Sequence, residues 1–371
     1  MIGILTFWNV PNFGAFCQAY ALNKTVKSIV GDKTEVVHIG YIHPVHNRLY
    51  RERNRPTLSG LKSLLSLNFY MGNFRFFFGR KIHYPKFDAA WDKIPHIDFY
   101  TDDDLEKYHF QNVILGSDSI WEYSTKDFGE DRHLVGLDIH SKKIVAYAPS
   151  FGDMTVNDSF PEFVKEGLSG LDKITVRDRT SAEIVSMLLG GAHPDIVLDP
   201  TFLWEFTTDS NVIVPKERKY ILVYGTNYTE AIVNEVREFA AMEGLQIIGA
   251  GLAPQWCDKI LTELSPFEWI GLFREAKFVV TCTFHGLMFS IHFRKKVLFY
   301  QVEHVKNRSQ WLLELTGLSK IYTKKPNIKE MLDYDWNYDE IYLSIQKEKD
   351  KSIKLLKEML AGNERGRVSN A

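Results

Sequence analysis

A histidine and a glycine follow an apolar run within residues 279–291, which read VVTCTFHGLMFSI. The run predicts a buried strand, and the residues beyond the turn predict a helix. His285 can carry a proton near neutral pH, and Gly286 lets a ligand approach the backbone closely. The N–H groups at a helix start favour anions. The pattern therefore predicts an anion-binding crevice, with a hydrogen-bonded histidine at a strand end as an equal alternative.

Other apolar runs also end in residues that can bind ligands, as expected for loops that line one crevice. They end in Gly116-Ser117-Asp118, Pro149-Ser150-Phe151-Gly152, Arg177-Asp178 and Asp199-Pro200. Arg177 suits an anion because a guanidinium binds a carboxylate or phosphate through two parallel hydrogen bonds. Arg179 is the close alternative, and a surface ion pair with Asp178 or Glu183 is the structural interpretation of Arg177. Asp199, which precedes a proline, is interpreted as a turn residue.

The elements that must position these residues form two halves. A strand at 2–7, a loop with Asn12 and Gly14, a helix at 15–29 and a strand at 35–39 are typical of a Rossmann-like domain. The loop lacks the dinucleotide glycine fingerprint, so NAD binding is not supported. We predict an N-terminal domain at 1–206, a C-terminal domain at 207–335, and a C-terminal helix and tail at 336–371.

Composition limits the class of protein. The chain has 371 residues, 45% hydrophobic and 25% charged, with a net charge of −2. These values are ordinary for a soluble globular protein and argue against a general nucleic-acid binder. The three cysteines lack metal-ligand spacing and are predicted to be small buried side chains. No signal peptide, membrane span or metal motif is predicted.

A basic, aromatic segment interrupts the first half at about 48–92. Between residues 48 and 86, nine lysines or arginines stand against one glutamate, with phenylalanines and tyrosines interleaved. Such a segment can contact an anionic membrane surface or a polyanionic glycan. The favoured alternative is a helical insertion whose phenylalanines pack on the body of the protein. If the segment is a contact surface, neutralising Arg51, Arg53 and Arg55 will weaken binding to anionic vesicles.

Seven segments in order resemble the polysaccharide pyruvyl transferase family. They are the opening GILTF with Asn12-Phe13-Gly14-Ala15 and QAYAL; Gly116-Ser117-Asp118 with Trp121; AYAPSFG at 146–152; Val176-Arg177-Asp178; Leu198-Asp199-Pro200-Thr201; Pro266-Phe267-Glu268 before Thr283-Phe284-His285-Gly286; and Arg308 with Leu312-Leu313. The resemblance spans most of the chain. It implies an α/β fold of two Rossmann-like domains, glycosyltransferase-B-like, with a C-terminal helix and a site in the cleft between the domains.

The resemblance also implies an activity, the transfer of an enolpyruvyl unit from phosphoenolpyruvate to two hydroxyls of a sugar. The product is a pyruvate ketal on a cell-surface polysaccharide or its lipid-linked precursor. Phosphoenolpyruvate is a co-substrate, and no cofactor or metal is implied. Arg177 would hold the donor anion, His285 would act as acid or phosphate ligand, and Asp118 would be the general base. A helix N-cap is an equal interpretation of Asp118.

The remaining candidates would shape the cleft or bind substrate. They are Asn12, Gly14, Ser117, Trp121, Ser150, Gly152, Arg179, Thr283, Phe284 and Gly286. Trp121 either stacks on a sugar ring or packs in the core. Some family members carry Arg-Leu-His where this chain has Thr283-Phe284-His285, so a second donor-binding arginine is absent. Arg274, Lys277, Arg294 or the basic segment would have to compensate.

Two other functions fit the same pattern. A nucleotide-sugar-dependent glycosyltransferase would bind a diphosphate at the His-Gly turn, and a non-catalytic glycan-binding protein would not depend on His285 or Arg177. The expected location is the cytoplasm, including the inner face of the membrane. The expected partners are the donor and a glycan or lipid-linked acceptor.

Overall fold

A computed structural model describes residues 1–42, 84–99, 104–105, 107–124, 131–226, 228–251, 253–300, 302–323 and 327–361. Most of the basic segment, including Arg51, Arg53 and Arg55, lies outside the described residues, so its predicted contact role stays a prediction. Its described end is helical at 84–91 and packs on the protein. Phe87 is buried there, and Lys86 Nζ lies 3.0 Å from Glu268 Oε2.

The N-terminal domain is built on a parallel sheet. Its strands are β1 (Ile2–Leu5), β2 (Val36–Tyr41), β3 (His96–Phe99), β4 (Asn112–Leu115), β5 (Ile144–Ala146), β6 (Lys173–Val176) and β7 (Asp195–Ile196), in the order β3-β2-β1-β4-β5-β6-β7. The labelled helices are α1 (Phe13–Val30), α2 (Glu162–Gly170) and α3 (Arg179–Leu188). Strands β1 and β4 are buried throughout, as expected of central strands covered on both faces.

The C-terminal domain repeats this architecture. Its strands are β8 (Tyr220–Tyr224), β9 (Gln246–Ala250), β10 (Lys259–Leu261), β11 (Phe278–Thr281), β12 (Val297–Tyr300) and β13 (Tyr322–Thr323), in the order β10-β9-β8-β11-β12-β13. Its helices are α4 (Glu230–Glu243), α5 (Pro266–Glu275), α6 (Phe284–His292), α7 (Glu303–Leu315) and α8 (Ile328–Asp333). Helix α5 begins where Ser265 and Glu268 form a capping box, with proline at the first position.

Each sheet reverses its strand order next to its first strand. The reversal lies between β1 and β4 in the first domain and between β8 and β11 in the second. Open α/β sheets bind ligands outside the carboxyl ends of the strands at such a point. The loops after β1, β4 and β11 contain Asn12, Asp118 and Thr283, so the topology brings the predicted candidates to the two switch points.

The C-terminal helix α9 (Tyr338–Leu360) contacts both domains rather than standing apart from them. Near its start, Tyr342 Oη donates to the carbonyl of Ile291 at 3.1 Å. Further along, Ser352 Oγ accepts from the N–H of Leu198 at 3.1 Å, and the last carbonyl, of Leu360, accepts from Asn112 Nδ2. The helix therefore ties the second sheet back to the first.

Aromatic packing holds helix α1 against the second domain. The ring of Phe13 stacks on Trp269 with centroids 5.1 Å apart and planes 4° apart. Tyr20 meets Phe267 edge-on at 5.3 Å. Such pairs stabilise contacts by roughly 0.5–1.5 kcal/mol beyond the burial of their area. The start of α1 is thereby held against the C-terminal domain.

The helices of the described residues include none with the length and apolar character that a membrane span requires.

Candidate active site

Two helix starts, one from each domain, meet at the centre of the site. Asn12 Oδ1 caps α1 by accepting from the N–H of Ala15 at 3.1 Å, and Thr283 Oγ1 caps α6 by accepting from the N–H of Gly286 at 3.0 Å. Gly14 lies directly against the ring of His285. A Cβ added to Gly14 would stand 2.1 Å from His285 Nδ1. Glycine is therefore required for the two helix starts to approach this closely.

The hydroxyl of Thr283 is used inside the protein. Thr281 Oγ1 donates to the carbonyl of Tyr224 at 2.8 Å, so the Thr281 hydroxyl has no second proton to give. The 3.0 Å contact between the two threonine hydroxyls must then be donated by Thr283. The hydroxyl proton of Thr283, a candidate for substrate binding, is therefore used within the protein. Gly286 has a packing role, since its added Cβ would lie 2.1 Å from Thr281 Oγ1.

Arg177 forms a buried ion network rather than a surface pair. Its side chain is 1% exposed at the carboxyl end of β6. Nη1 donates to Asp199 Oδ2 at 3.1 Å, and Nη2 lies 3.4 Å from Asp118 Oδ1. Nη2 also donates to Ser119 Oγ at 3.2 Å, and the guanidinium carbon is 5.0 Å from the centre of the Phe284 ring. Phe284 therefore supports the arginine.

Burial opposes the charge of Arg177, but the neighbouring carboxylates outweigh it and raise the pKa of Arg177 above its ordinary value. Removing one member of such a buried network leaves the opposite charge uncompensated, which typically costs about 3–5 kcal/mol. The predicted partners Asp178 and Glu183 are not the ion-pair partners. Asp178 instead caps α3 by accepting from the N–H of Ser181 at 2.8 Å.

Asp118 stands at the exposed side of this network. Its side chain is 14% exposed, against 2% for Asp199. Burial is the largest single influence on the pKa of Asp118 and raises it, but Arg177, His285, Arg308 and the N–H of Ser119 together outweigh burial, so the net pKa lies below its ordinary value. No helix begins within residues 119–124, so the N-cap interpretation is wrong. The backbone of Asp118 has φ of 82°, an unusual conformation for a residue other than glycine.

The pKa of His285 lies below its ordinary value, which favours the neutral imidazole in the free protein. Burial is the main cause that lowers its pKa, and the charges of Arg177 and Arg308 add to this, while Asp199 and Asp118 oppose it. Its Nε2 is buried without a hydrogen-bond partner among the described residues. An imidazole with an unused nitrogen can accept a proton or bind a ligand.

Asp199 was interpreted as a turn residue, and it also belongs to the charged network. Its Oδ1 accepts from the N–H and the hydroxyl of Thr201, at 3.0 and 2.9 Å. Its Oδ2 accepts from Arg177, and Ser117 Oγ lies 3.3 Å away. One carboxylate therefore fixes a turn and anchors the arginine. An aspartate before a proline gave no sign of this second contact.

Two serines predicted to bind substrate are instead buried supports. Ser117 Oγ donates to the carbonyl of Ala148 at 2.9 Å, and Ser150 Oγ donates to Asp178 Oδ2 at 2.6 Å. Neither side chain has exposed surface. The prediction is corrected because their hydroxyl protons are already used to hold the loops after β4 and β5.

Trp121 and Gly152 also have structural roles. Trp121 is fully buried, packs on Phe151 with ring centroids 5.2 Å apart, and donates from Nε1 to the carbonyl of Leu134 at 2.8 Å. No ring face is left for a sugar, so the packing interpretation holds. Gly152 has φ of 63°, and a Cβ there would meet Glu122 Oε2 at 2.1 Å.

Sequence reasoning missed Glu122 as a candidate. It is 8% exposed, and burial raises its pKa although the hydroxyl of Ser124 donates to it at 2.9 Å. The positive charge of Arg308 acts on Glu122 as well as on Asp118 and His285. Glu122 lies in a run otherwise dominated by aromatic and small residues. Its position four residues after Asp118 is the one sequence signal that could have indicated a role near the site.

Arg179 points away from the network. Its side chain is 52% exposed, and its Nη1 lies 2.6 Å from Glu314 Oε2 on helix α7. It is therefore a surface link between the domains and not an alternative to Arg177. Among the described residues, no group of three histidine, cysteine, aspartate or glutamate side chains could hold a metal ion.

Solved structures of sugar-nucleotide enzymes share the fold. The UDP-GlcNAc 2-epimerase from Neisseria meningitidis, bound to UDP-GlcNAc, aligns with a TM-score of 0.55 and 9% identity, covering 97% of this chain and 99% of its own. A 2-epimerase assigned in Listeria monocytogenes aligns with a TM-score of 0.51 and 12% identity, covering 96% and 94%. At such identities the likeness shows the fold alone, two Rossmann-like domains arranged as in GT-B glycosyltransferases and epimerases.

Comparison with curated proteins gives no match. The sequence model described as polysaccharide pyruvyl transferase matches residues 12–304, from the cap of α1 to the start of α7. The match includes the network of Asp118, Arg177 and Asp199 and the His-Gly turn at the start of α6. The chain belongs to the polysaccharide pyruvyl transferase family.

Proposed function

We propose that the protein transfers an enolpyruvyl unit from phosphoenolpyruvate to two hydroxyls of a sugar, forming a pyruvate ketal. The observation that carries this proposal is the contact of Gly14 with His285, which places an imidazole with an unused Nε2 at the meeting of two helix starts. The family match supports a transferase acting on a glycan.

The reaction sets definite demands on the site. The enol carbon of the donor takes up one proton, and the carbon that carries the phosphate becomes electrophilic. Two sugar hydroxyls each form a bond to that carbon and lose their protons, while the bond to the phosphate oxygen breaks. One proton is thereby placed on the enol carbon and the other leaves with phosphate. The site must hold two anionic groups and move protons in both directions.

Arg177 would bind the donor by exchanging one carboxylate partner. Its contact with Asp118 is the longer, 3.4 Å against 3.1 Å for Asp199, and Asp118 lies on the more exposed side. A donor carboxylate or phosphate would take the place of Asp118 at Nη2, while Asp199 keeps the guanidinium fixed. The exchange keeps two anionic partners on Arg177, so the buried charge of the guanidinium stays compensated.

The same exchange would prepare Asp118 as the general base. Arg177 lowers the pKa of Asp118 in the free protein. A carboxylate that has lost this partner becomes more basic and is better suited to take a proton from a sugar hydroxyl. Its departure from the arginine also turns it toward the exposed side of the network, where the acceptor would enter.

His285 would acquire its proton together with the donor. Burial keeps the free imidazole neutral, and an added phosphate or carboxylate raises the pKa of a neighbouring histidine. The imidazolium would then donate to the leaving phosphate or to the enol carbon. His285 is thus proposed to act as an acid in the donor complex.

The acceptor is proposed to be a glycan or lipid-linked oligosaccharide, with the reaction in the cytoplasm or at the inner face of the membrane. The alternative is a nucleotide-sugar-dependent transferase, because a structural neighbour with TM-score 0.55 was solved with UDP-GlcNAc. Incubation with phosphoenolpyruvate and a panel of oligosaccharides tests the proposal. We expect phosphate release matched one-to-one by ketal on the acceptor, detected by mass spectrometry. Transfer of a sugar from a nucleotide instead would overturn it.

A further inference from the structure

The donor demands more positive charge than the His-Gly turn supplies. The inference that follows rests on the proposed function, in which the donor is phosphoenolpyruvate. This donor carries both a carboxylate and a phosphate. Thr283 occupies the place where some family members have arginine, and its hydroxyl is committed to Thr281 and to capping α6. The charge of Arg177 is already shared between the carboxylates of Asp118 and Asp199. A second permanently charged side chain would have to come from elsewhere in the fold.

Three cations considered from the sequence lie at the wrong edge of the second sheet. Lys277 directly precedes β11, and Arg274 is in the last turn of the helix that leads into it. Arg294 follows α6 on the way into β12 and lies 3.3 Å from Asp339. All three are at the amino edge, whereas the site lies at the carboxyl ends of the strands. None can reach the donor without refolding of the sheet.

Arg308 is on the correct side of the cleft. It projects from α7 in the second domain to the first domain, where its Nη2 contacts Asp153 Oδ1 at 3.5 Å. Asp153 follows Gly152, which packs against Glu122. The side chain of Arg308 is 19% exposed, so part of the guanidinium is shielded from solvent. Its charge acts on Asp118, Glu122 and His285 together.

We infer that Arg308 is the second donor-anion residue and supplies the charge missing at Thr283. The contact with Asp153 is long for a charged hydrogen bond, which usually spans about 2.7–2.9 Å. A donor phosphate or carboxylate would draw the guanidinium from Asp153 into the space between Asp118 and His285. The donor would then be held by Arg177 from the first domain and Arg308 from the second.

Two independent readouts test this inference. The first is the pKa of His285 in the free protein, followed by NMR titration of wild type, Arg308→Ala and Lys306→Ala. Lys306 is an exposed cation on the same helix, so its loss changes the net charge equally. Because Arg308 lowers the pKa of His285, Arg308→Ala should raise it and Lys306→Ala should leave it unchanged.

The second readout is the calorimetric affinity for phosphoenolpyruvate and for inorganic phosphate. We expect Arg308→Ala to weaken one or both by about tenfold or more, Arg308→Lys to restore part of the affinity, and Lys306→Ala to change it less than about twofold. Thermal unfolding of each variant checks that the fold is retained.

The outcomes separate this inference from the proposed function. If wild type binds phosphoenolpyruvate and Arg308→Ala binds both anions equally well, the inference fails and the proposed donor stands. If wild type binds only inorganic phosphate and Arg308→Ala loses it, the anion role stands and the proposed donor fails. If wild type binds neither anion, both fail. An unchanged pKa of His285 in Arg308→Ala also contradicts the inference.

Discussion

The contact between Gly14 and His285 makes a sharp prediction about Gly14→Ala. The added methyl would lie 2.1 Å from His285 Nδ1, whereas ordinary contacts begin near 3.4 Å. The imidazole must therefore move by about 1.3 Å or rotate away from its rotamer, at a cost of about 0.5–1.5 kcal/mol. Alanine gains up to about 1 kcal/mol over glycine in a helix interior, and somewhat less in the first turn.

The cost of moving His285 and the gain from alanine nearly cancel in the free energy of unfolding. The displacement of the imidazole within the site remains. A reacting group displaced by about 1 Å can lose on the order of 100-fold in rate. We therefore expect Gly14→Ala to unfold within about 2 °C of wild type and to lose most turnover. Donor affinity is expected to fall as well, because His285 no longer occupies the meeting point of the two helices.

The assays are thermal unfolding, phosphoenolpyruvate calorimetry and phosphate release with an acceptor. Gly170→Ala is the matched control, since Gly170 ends helix α2 and a Cβ there would meet nothing within 4 Å. It should leave both stability and turnover nearly unchanged. Retention of wild-type turnover and donor affinity by Gly14→Ala would refute the reasoning that this contact positions the imidazole.

Three further predictions test the charges around this contact. Asp118→Asn should bind the donor several-fold more tightly, because Arg177 loses a competing carboxylate, yet lose turnover; weaker donor binding would contradict the exchange. Donor binding near pH 7 should be accompanied by uptake of a proton at His285, so donor affinity should fall as the pH rises. Calorimetry in buffers of different ionisation enthalpy measures the number of protons taken up, and a value of zero would contradict this prediction. Burial lowers the pKa of His292 from 6.5 to about 4, so the unfolded chain binds more protons than the folded chain between these pH values. The free energy of unfolding should therefore decrease by up to about 3 kcal/mol as the pH is lowered from 6.5 to 4. His292→Phe should lose less stability than wild type between pH 7 and pH 4.5 in denaturant titrations, and equal losses would refute this.

The central strands and several helix starts could be predicted from the sequence because their signals are local. Buried runs such as 113–115 and 278–281 contain only residues that favour strands, and Ser265-Pro266 marks a helix start. Short elements lack such signals. Strand β3, which alternates exposed and buried residues over four positions, and the two-residue β13 were therefore not predicted.

The candidate residues at the strand ends were found for the same local reason, but their partners were not. The contact of Gly14 with His285 joins the two domains, and no periodicity reports which residues meet across a cleft. The pairing of Arg177 with Asp118 and Asp199 depends on β4, β6 and β7, strands of one sheet that lie far apart in the sequence. Burial decided the rest. The aromatic ring of Trp121 could stack on a sugar, but its burial against Phe151 excludes that role.

The most direct test of the central claim is a calorimetric titration of phosphoenolpyruvate into wild type and His285→Ala, with UDP and GDP as competitors. We expect micromolar-to-millimolar binding to wild type, weaker binding to His285→Ala, and no competition by either nucleotide. Binding of UDP or GDP without binding of phosphoenolpyruvate would contradict the account and assign the cleft to a nucleotide sugar.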